Sequence, residues 1–463
     1  MTNADPARLA SQQNDPSFAD VWEEIVWRGY VHVSTDEEAL KALLAGPPIT
    51  YYCGFDPTAP SLHLGNLVQL LLMRRLQLAG HRPLGLVGGS TGLIGDPRPT
   101  AERTLNDPGV VAEWVRRLQA QVTAFLSGEG DNAVRIVNNL DWTAPLTAID
   151  FLREVGKHFR VGTMLKKDAV SARLNSDEGI SYTEFSYQIL QGLDFRELYR
   201  TYGCVLQTGG SDQWGNLTSG TDLIRRSERV AAHAIGTPLI TNSDGTKFGK
   251  SEGNAVWLDA SLTSPYAFYQ FWLNTDDADV VHRLRVFTFL GRDRIDELAR
   301  AVEAEPFRRA AQRELAWEVT TLVHGEAATA AAIAASQALF GQGELSALDE
   351  PTLRAALGSC RRPRSRGDDR DPGARRHRSR AERGRGPPRD RPGRGVREQR
   401  RRGRCRCRRG GSPARSIRGP PARQEDPRRP HRRLNEPPTG SSPRSRARHA
   451  RDAGCFAGVG WSA

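Results

Sequence analysis

A break in composition at Gly358 limits what this chain can fold into more than any motif does. From Gly358 to Ala463 the sequence holds 33 Arg, no Lys, 10 Asp plus Glu, 13 Pro and 15 Gly, a net +23. Bulky apolar side chains are confined there to Val396, Ile417, Leu434, Phe456, Val459 and Trp461. Ordering a backbone costs about 1 to 2 kcal/mol per residue, which so few apolar groups do not offset, so a disordered tail is expected over 358–463. The first 357 residues carry 33 Lys plus Arg against 44 Asp plus Glu, a net −11, and are long enough for a large core. The overall charge of +12 therefore belongs to the tail and does not mark the whole chain as a nucleic-acid binder.

Arg, Pro and Gly without Lys is what a GC-rich gene yields when translated out of frame, so a frameshift near codon 358 is the expectation for the tail. The alternative keeps the tail as an arginine clamp on nucleic-acid phosphates, salt-sensitive and short of aromatics for base stacking. Of the six cysteines only Cys53 and Cys204 precede the break, which fits a reducing compartment rather than a disulfide framework. Cys405 and Cys407 lack the spacing and the second pair of a zinc site. The N-terminus has no basic and apolar leader pattern, and the run Leu70 to Met73 is far short of the ~20 residues that span a bilayer. A soluble cytoplasmic protein with no membrane partner is expected.

Within the body, Phe18 to Arg28 has apolar residues at helical spacing and is stopped by Gly29. Ile49–Cys53 reads as a strand, Asn66–Ala79 as an apolar-faced helix and Leu84–Val87 as a second strand, which makes a βαβ unit. Val110–Leu126 continues as helix, Val134–Val137 as strand, and Val205–Gln207 as a later strand before Gly209-Gly210. Short strands alternating with longer helices predict an α/β fold with a mostly parallel sheet covered on both faces. From Ser264 to Phe340 only helical patterns remain, with Pro265 opening one helix, so a second, all-α domain is expected before the tail.

Ligands of open parallel sheets sit beyond the carboxyl ends of the strands. Tyr52-Cys53-Gly54-Phe55-Asp56-Pro57-Thr58 to His63-Leu64-Gly65-Asn66 runs from a strand end to a helix start, where free N–H groups and the helix dipole favour phosphate. Thr58 and His63 are donors for phosphate oxygens; read blandly, Thr58 is a turn residue and His63 a helix cap. Asp244 to Ser251 is polar and glycine-spaced, with Lys247 and Lys250 three apart. It is no P-loop, since Asp244 stands where that motif needs Gly. The chemical reading is a mobile loop that brings two ammonium groups to a phosphoryl centre; the bland one is an exposed basic turn.

Taken together, His63-Leu64-Gly65-Asn66 and Lys247-Phe248-Gly249-Lys250-Ser251, about 180 residues apart, resemble the two signature motifs of class I aminoacyl-tRNA synthetases. Tyr52 to Thr58, Gly92 to Pro97, Thr183 to Tyr187 and Gly209 to Asn216 narrow the resemblance to the bacterial tyrosyl-tRNA synthetase family, over about Trp22 to Leu357. That resemblance implies a Rossmann-like catalytic domain over 1–240, with an inserted dimer-interface segment about 110–165, centred near Phe151 to Leu165. A signature loop and helical domain would follow over 241–357.

It further implies that tyrosine is activated by ATP to tyrosyl-adenylate and pyrophosphate and then passed to the 3′ end of a tRNA, by a homodimer. Tyr52 and Asp194 would hold the phenol, and Asp96, Tyr187 and Gln191 the α-amino group. Tyr187 and Gln191 are four apart on the predicted helix, with Asp194 one turn further. Gly54, Asp56, Gly65, Gly210, Asp212, Gln213, Lys250 and Ser251 would line ATP. Thr58, His63, Asn66, Lys247 and Lys250 would carry catalysis at the phosphates, with Mg2+ arriving on the nucleotide, no tightly bound cofactor and no metal cage. Three departures stand out. Asn66 replaces a second His, Arg98 or Arg103 replaces a Lys after Asp96-Pro97, and the tail replaces a small folded RNA-binding module. The other readings are a catalytically impaired, synthetase-derived RNA-binding protein and a tryptophan-specific relative, against which Tyr52 with Asp194 argues for a phenol.

Overall fold

The computed structural model describes residues 6–339, except 99–102, 178, 244, 246, 247, 252 and 253, and then 352–354 and 357. The tail after Leu357 lies outside the described residues.

The main sheet has six strands: β1 (Val33–Ser34), β2 (Thr50–Phe55), β3 (Arg82–Val87), β4 (Arg135–Asn138), β5 (Cys204–Gly210) and β6 (His233–Thr237). Their order is β1-β6-β5-β2-β3-β4, parallel throughout except for β1, which runs antiparallel to β6. A small antiparallel hairpin, β7 (Lys250–Ser251) and β8 (Asn254–Ala255), stands apart. The four strands expected from sequence are present. β1 and β6 escape sequence reading because one is two residues long and the other, His-Ala-Ile-Gly-Thr, has a single bulky apolar side chain; β6 is made by pairing onto β5, and β1 by pairing onto β6.

The principal helices are α1 (Val21–Trp27), α2 (Leu64–Leu78), α3 (Pro108–Ala124), α4 (Tyr182–Tyr202) and α5 (Trp214–Ser227), then α6 (Pro265–Leu273), α7 (Asp277–Phe287), α8 (Arg292–Ala304), α9 (Ala310–His324) and α10 (Glu326–Leu339). Local chemistry sets their ends. Asp20, Ser181 and Ser264 each accept an N–H from the first turn of α1, α4 and α6, and Pro108 and Pro265 occupy positions where no N–H is required. Gly203 closes α4 at φ +62, a left-handed turn that glycine enters without a Cβ clash. None of the described helices is long and apolar enough to cross a membrane.

One apolar cluster runs continuously from α1 and β2 through α2 to the helical region, where it includes Phe268, Trp272, Phe287 and Val319. A buried ion triad fixes α2 within it. Arg28 Nε and Arg75 Nη1 both donate to Glu24 Oε1, at 2.8 and 2.6 Å. The surplus positive charge faces backbone carbonyls just beyond the C-terminal end of α7: Arg75 Nη2 to Thr288 O at 2.7 Å and Arg28 Nη2 to Leu290 O at 2.9 Å.

From β2 the chain crosses to β3 on one side, and from β5 to β6 on the other. The crevice of such a sheet opens between the carboxyl ends of the two strands where direction reverses, here β2 and β5.

Candidate active site

A cleft of about 540 Å³ occupies that crevice. β2 and the turn after it contribute Tyr52, Gly54, Asp56 and Thr58, and the start of α2 contributes His63, Gly65 and Asn66. Asp96 enters after the short helix Thr91–Ile94. α4 supplies Tyr187, Gln191 and Asp194 from one face, and the end of β5 supplies Gly210, Asp212 and Gln213. Sequence motifs scattered over some 160 residues thus share one cavity. Of the two arginines named as stand-ins for a missing lysine, Arg103 lines the cleft.

The remaining expected residues sit on the second signature segment. Lys247 lies outside the described residues, and of Lys250 and Ser251 the structure describes only the backbone, as β7. That backbone is tied to the first signature. His63 bridges Trp257, Leu64 N–H donates to Val256 O at 3.2 Å, Leu258 N–H donates to Leu62 O at 2.9 Å, and Val256 N–H donates to Gly249 O at 2.9 Å.

At the closed end, Tyr52 and Asp194 are 1% and 2% exposed. Asp194 Oδ1 accepts from Trp142 Nε1 at 2.9 Å and Oδ2 from Asn139 Nδ2 at 3.0 Å. Asn139 Nδ2 also donates to Thr91 Oγ1 at 3.0 Å, Thr91 Oγ1 donates to Asp56 Oδ1 at 2.6 Å, and Tyr187 OH donates to Asp56 Oδ2 at 2.6 Å. The result is an unbroken chain from Trp142 to Tyr187, buried at Asn139, Thr91, Asp194 and Tyr187 and part-buried at Trp142 and Asp56. Burial pushes the Asp194 carboxyl up to about 8, with Asn139 and Trp142 pulling the other way. Burial also raises Asp56, against the donors Thr91 and Tyr187. Tyr52 differs: its hydroxyl is buried without a partner among the described residues, and burial followed by the Asp194 charge keeps it protonated.

Asp96 is held as a carboxylate acceptor. Lys167 Nζ reaches Oδ1 at 3.2 Å, Asn216 Nδ2 reaches Oδ1 at 3.1 Å, and Gln213 Nε2 reaches Oδ2 at 3.2 Å. A protein ammonium therefore sits on the carboxylate to which resemblance assigns a ligand ammonium.

At the open end, His63 caps α2, as its bland reading expects. Gly65 N–H donates to His63 Nδ1 at 3.0 Å, and His63 N–H donates to Asn66 Oδ1 at 3.1 Å, a reciprocal capping box. Because Nδ1 accepts, the ring proton resides on Nε2, leaving a donor for a ligand oxygen. A Cβ at Gly65 would lie 2.8 Å from His63 Cε1, and one at Gly210 would lie 2.4 Å from Asp212 Oδ1. Gly54 is the single exposed residue of an otherwise buried β2, and a Cβ there would meet only Leu86 Cδ2, at 3.7 Å.

Sequence reasoning missed Asn139, Trp142, Thr91, Lys167 and Asn216, which hold the site carboxylates, and Gln207, whose buried Oε1 has no partner among the described residues while the residue lines the cleft. Asn139 and Trp142 follow the end of β4, so the strand-end rule applied to that strand would have found them. Lys167 carries no such signal.

Residues 44–341 match the family described as tRNA synthetases class I (W and Y). A tyrosine–tRNA ligase of Leifsonia xyli subsp. xyli is 78% identical over 350 residues, covering 75% of this chain and 79% of that protein. A tyrosine–tRNA ligase of Streptomyces avermitilis is 68% identical over 341 residues, covering 73% and 81%. The crystal structure of a C-terminally truncated Coccidioides posadasii mitochondrial tyrosyl-tRNA synthetase aligns with a TM-score of 0.61 at 30% identity, covering 68% of this chain and 92% of that one.

Proposed function

The chain belongs to the class I tRNA synthetases of the tryptophan and tyrosine type, and from that premise we propose that it is a tyrosine–tRNA ligase. Its first step is attack of the tyrosine carboxylate on the α-phosphate of ATP, with pyrophosphate leaving; its second passes the tyrosyl group to the 3′ end of tRNA. ATP brings Mg2+ as part of the substrate.

The observation that carries this reading is the orphaned Tyr52 hydroxyl beside the Asp194 carboxyl at the closed end of the cleft. A phenol hydroxyl donates to one and accepts from the other. An indole leaves Tyr52 unsatisfied, and a buried polar group without a partner costs about 1 to 3 kcal/mol. Tyr187 and Gln191 continue the same helix face toward Asp96, whose carboxylate would take the α-amino group in competition with Lys167 Nζ, 3.2 Å away. His63 Nε2–H, Thr58 and the positive end of the α2 dipole face the phosphates, the N–H groups of residues 63 to 66 being bonded within the protein, with Asp212 and Gly210 on the ribose side.

The test is exchange of labelled pyrophosphate into ATP. It should depend on tyrosine and be unsupported by tryptophan; equal rates with both amino acids would sink the assignment. Residues 1–357, a catalytic domain to about 240 followed by the helical region, carry this step, so a chain ended at Leu357 should exchange at the full rate. Collapse of exchange in that chain would put the tail into the first step.

The homodimer reading is supported by Ile149, Leu152 and Val161, which are 63%, 51% and 60% exposed in the segment expected to form the interface. Ile149→Glu should yield monomers by sedimentation. The buried free thiols Cys53 and Cys204 suit the cytoplasm, where tyrosine, ATP and tRNA meet.

A further inference from the structure

Outside the cleft, one buried guanidinium touches the chain on both sides of residues 243–247. Arg283, on α7, is 2% exposed. Its Nη2 donates to Asn242 Oδ1 at 3.0 Å and Thr241 O at 3.4 Å, and pairs with Asp279 Oδ2 at 3.1 Å. That same Asp279 oxygen accepts the Ser243 N–H at 3.1 Å. From the other side, the Phe248 ring centroid lies 4.0 Å from the guanidinium carbon. Phe248 is itself packed on Phe271, Trp272 and Phe287, with centroids 5.4 to 5.6 Å apart, and its side chain reaches the cleft wall.

Stability alone does not account for an arginine here. Its Nε and Nη1 are buried with no partner among the described residues, and a buried cation with unmet donors is costly where an apolar side chain would pack freely. What the guanidinium supplies is geometry: a flat cation that stacks on an aromatic face while its edge donates to backbone and amide oxygens. The backbone continues from Phe248 into Gly249 at φ +78, where an added Cβ would stand 3.4 Å from Leu64 Cβ at the start of α2.

We infer that Arg283 is a positioning residue for the adenylation step: by clamping Phe248 against Thr241 and Asn242 it sets where the Phe248-Gly249-Lys250 backbone meets the phosphate end of the cleft. The inference rests on the proposed reading together with the role at the phosphates that the resemblance gives Lys250. Arg283 touches no substrate, so its effect appears in turnover and not in tyrosine binding.

The experiment compares the full chain with Arg283→Met and Arg283→Lys. In Arg283→Met, kcat of tyrosine-dependent pyrophosphate exchange should fall about a hundredfold, the scale on which small misplacements act, with the tyrosine Kd held within about twofold. Arg283→Lys should recover only a minor part, since an ammonium lacks the planar fork. Without substrates, amide hydrogen exchange in Arg283→Met should accelerate in peptides spanning 241–250 and not in α4 or α5. An unchanged kcat, a tyrosine Kd that worsens in step with kcat, or uniform acceleration of hydrogen exchange would each overturn the inference. Should Arg283→Met fail to fold, Phe248→Leu, which removes the ring beneath the guanidinium, must show the same split between kcat and Kd. If the unaltered chain shows no tyrosine-dependent exchange, the functional reading fails, while the hydrogen-exchange comparison still decides the clamp.

Discussion

The two ends of the cleft are built differently. At the closed end, Tyr52 and Asp194 are buried, and the carboxylates are held by Trp142, Asn139, Thr91 and Tyr187, drawn from three separate parts of the chain. At the open end, His63, Gly65 and Asp212 are exposed, and the working parts are a helix start, glycine clearances and a cap made within four residues. The difference follows from what each end must do. Telling one side chain from another requires polar groups fixed out of water, so that a wrong ligand leaves them unpaired. Receiving phosphate requires a positive helix end and room, which local backbone supplies.

Breaking the closed end should have the largest effect. Asp194→Asn keeps the shape but offers one acceptor atom to two donors, Asn139 Nδ2 and Trp142 Nε1, and removes the carboxyl that meets a phenol. With about 3 kcal/mol at stake, kcat/KM for tyrosine should fall about a hundredfold or more; a variant that retained it would show that Asp194 does not read the phenol. The same substitution sharpens the electrostatics. The folded carboxyl titrates at about 8, far above the ordinary 3.8, so the folded state binds this proton more tightly than the unfolded. Its contribution to stability is full below the unfolded value, declines as pH rises toward about 8, and is flat beyond. Asp194→Asn lacks that decline, so the difference in thermal midpoint between the two proteins should change across this window and be constant above it. A difference independent of pH would mean that the carboxyl titrates normally.

These contrasts also explain what was legible in the sequence. The open end is local, and its parts, a strand end, Gly65, His63 and Asn66, are contiguous, so they were readable together. α4 was readable because Tyr187, Gln191 and Asp194 fall on one helix face. Lys167 and Asn216 were not, because their meaning lies in reaching Asp96 across 71 and 120 residues. The fold divides the same way: β2 to β4 announce themselves by apolar runs, whereas β1 and β6 exist through pairing with neighbours. Arg283 is the extreme case, a helix residue whose partners are a carbonyl, an amide and a ring from another segment.

Gly54 lies between the two ends and tests whether the cleft is shaped for a ligand. Nothing in the protein requires glycine there, since an added Cβ meets only Leu86 Cδ2 at 3.7 Å. Gly54→Ala should therefore leave stability unchanged or raise it by about 0.5 to 1 kcal/mol, because glycine is entropically unfavourable in a strand. A methyl projecting into an occupied cleft costs about 1 to 3 kcal/mol, so KM for ATP should rise about tenfold. Unfolding and exchange assays run in parallel decide it: an unchanged KM would mean that no ligand approaches β2 at this point.

The smallest effect expected is at His63, where the bland and the chemical readings can be separated. His63→Ala removes the Nδ1 acceptor of the Gly65 N–H and should cost about 1 kcal/mol of stability, the usual worth of a helix cap. Asn66 does not enter that loss, because Oδ1 of Asn66 accepts the backbone N–H of residue 63, which survives any substitution but proline. His63→Asn restores the cap, asparagine being among the strongest N-cap residues, yet its shorter side chain spends its oxygen on the cap and has no Nε2–H at the reach of the ring. If His63 is a cap alone, stability and pyrophosphate exchange return together in His63→Asn. If the ring also donates to a phosphate oxygen, the thermal midpoint returns while kcat stays several-fold down, the cost of one donor worth about 1 kcal/mol. Full recovery of both would leave the open end with the helix dipole as the only contribution from the start of α2, and would make the contrast with the closed end sharper still.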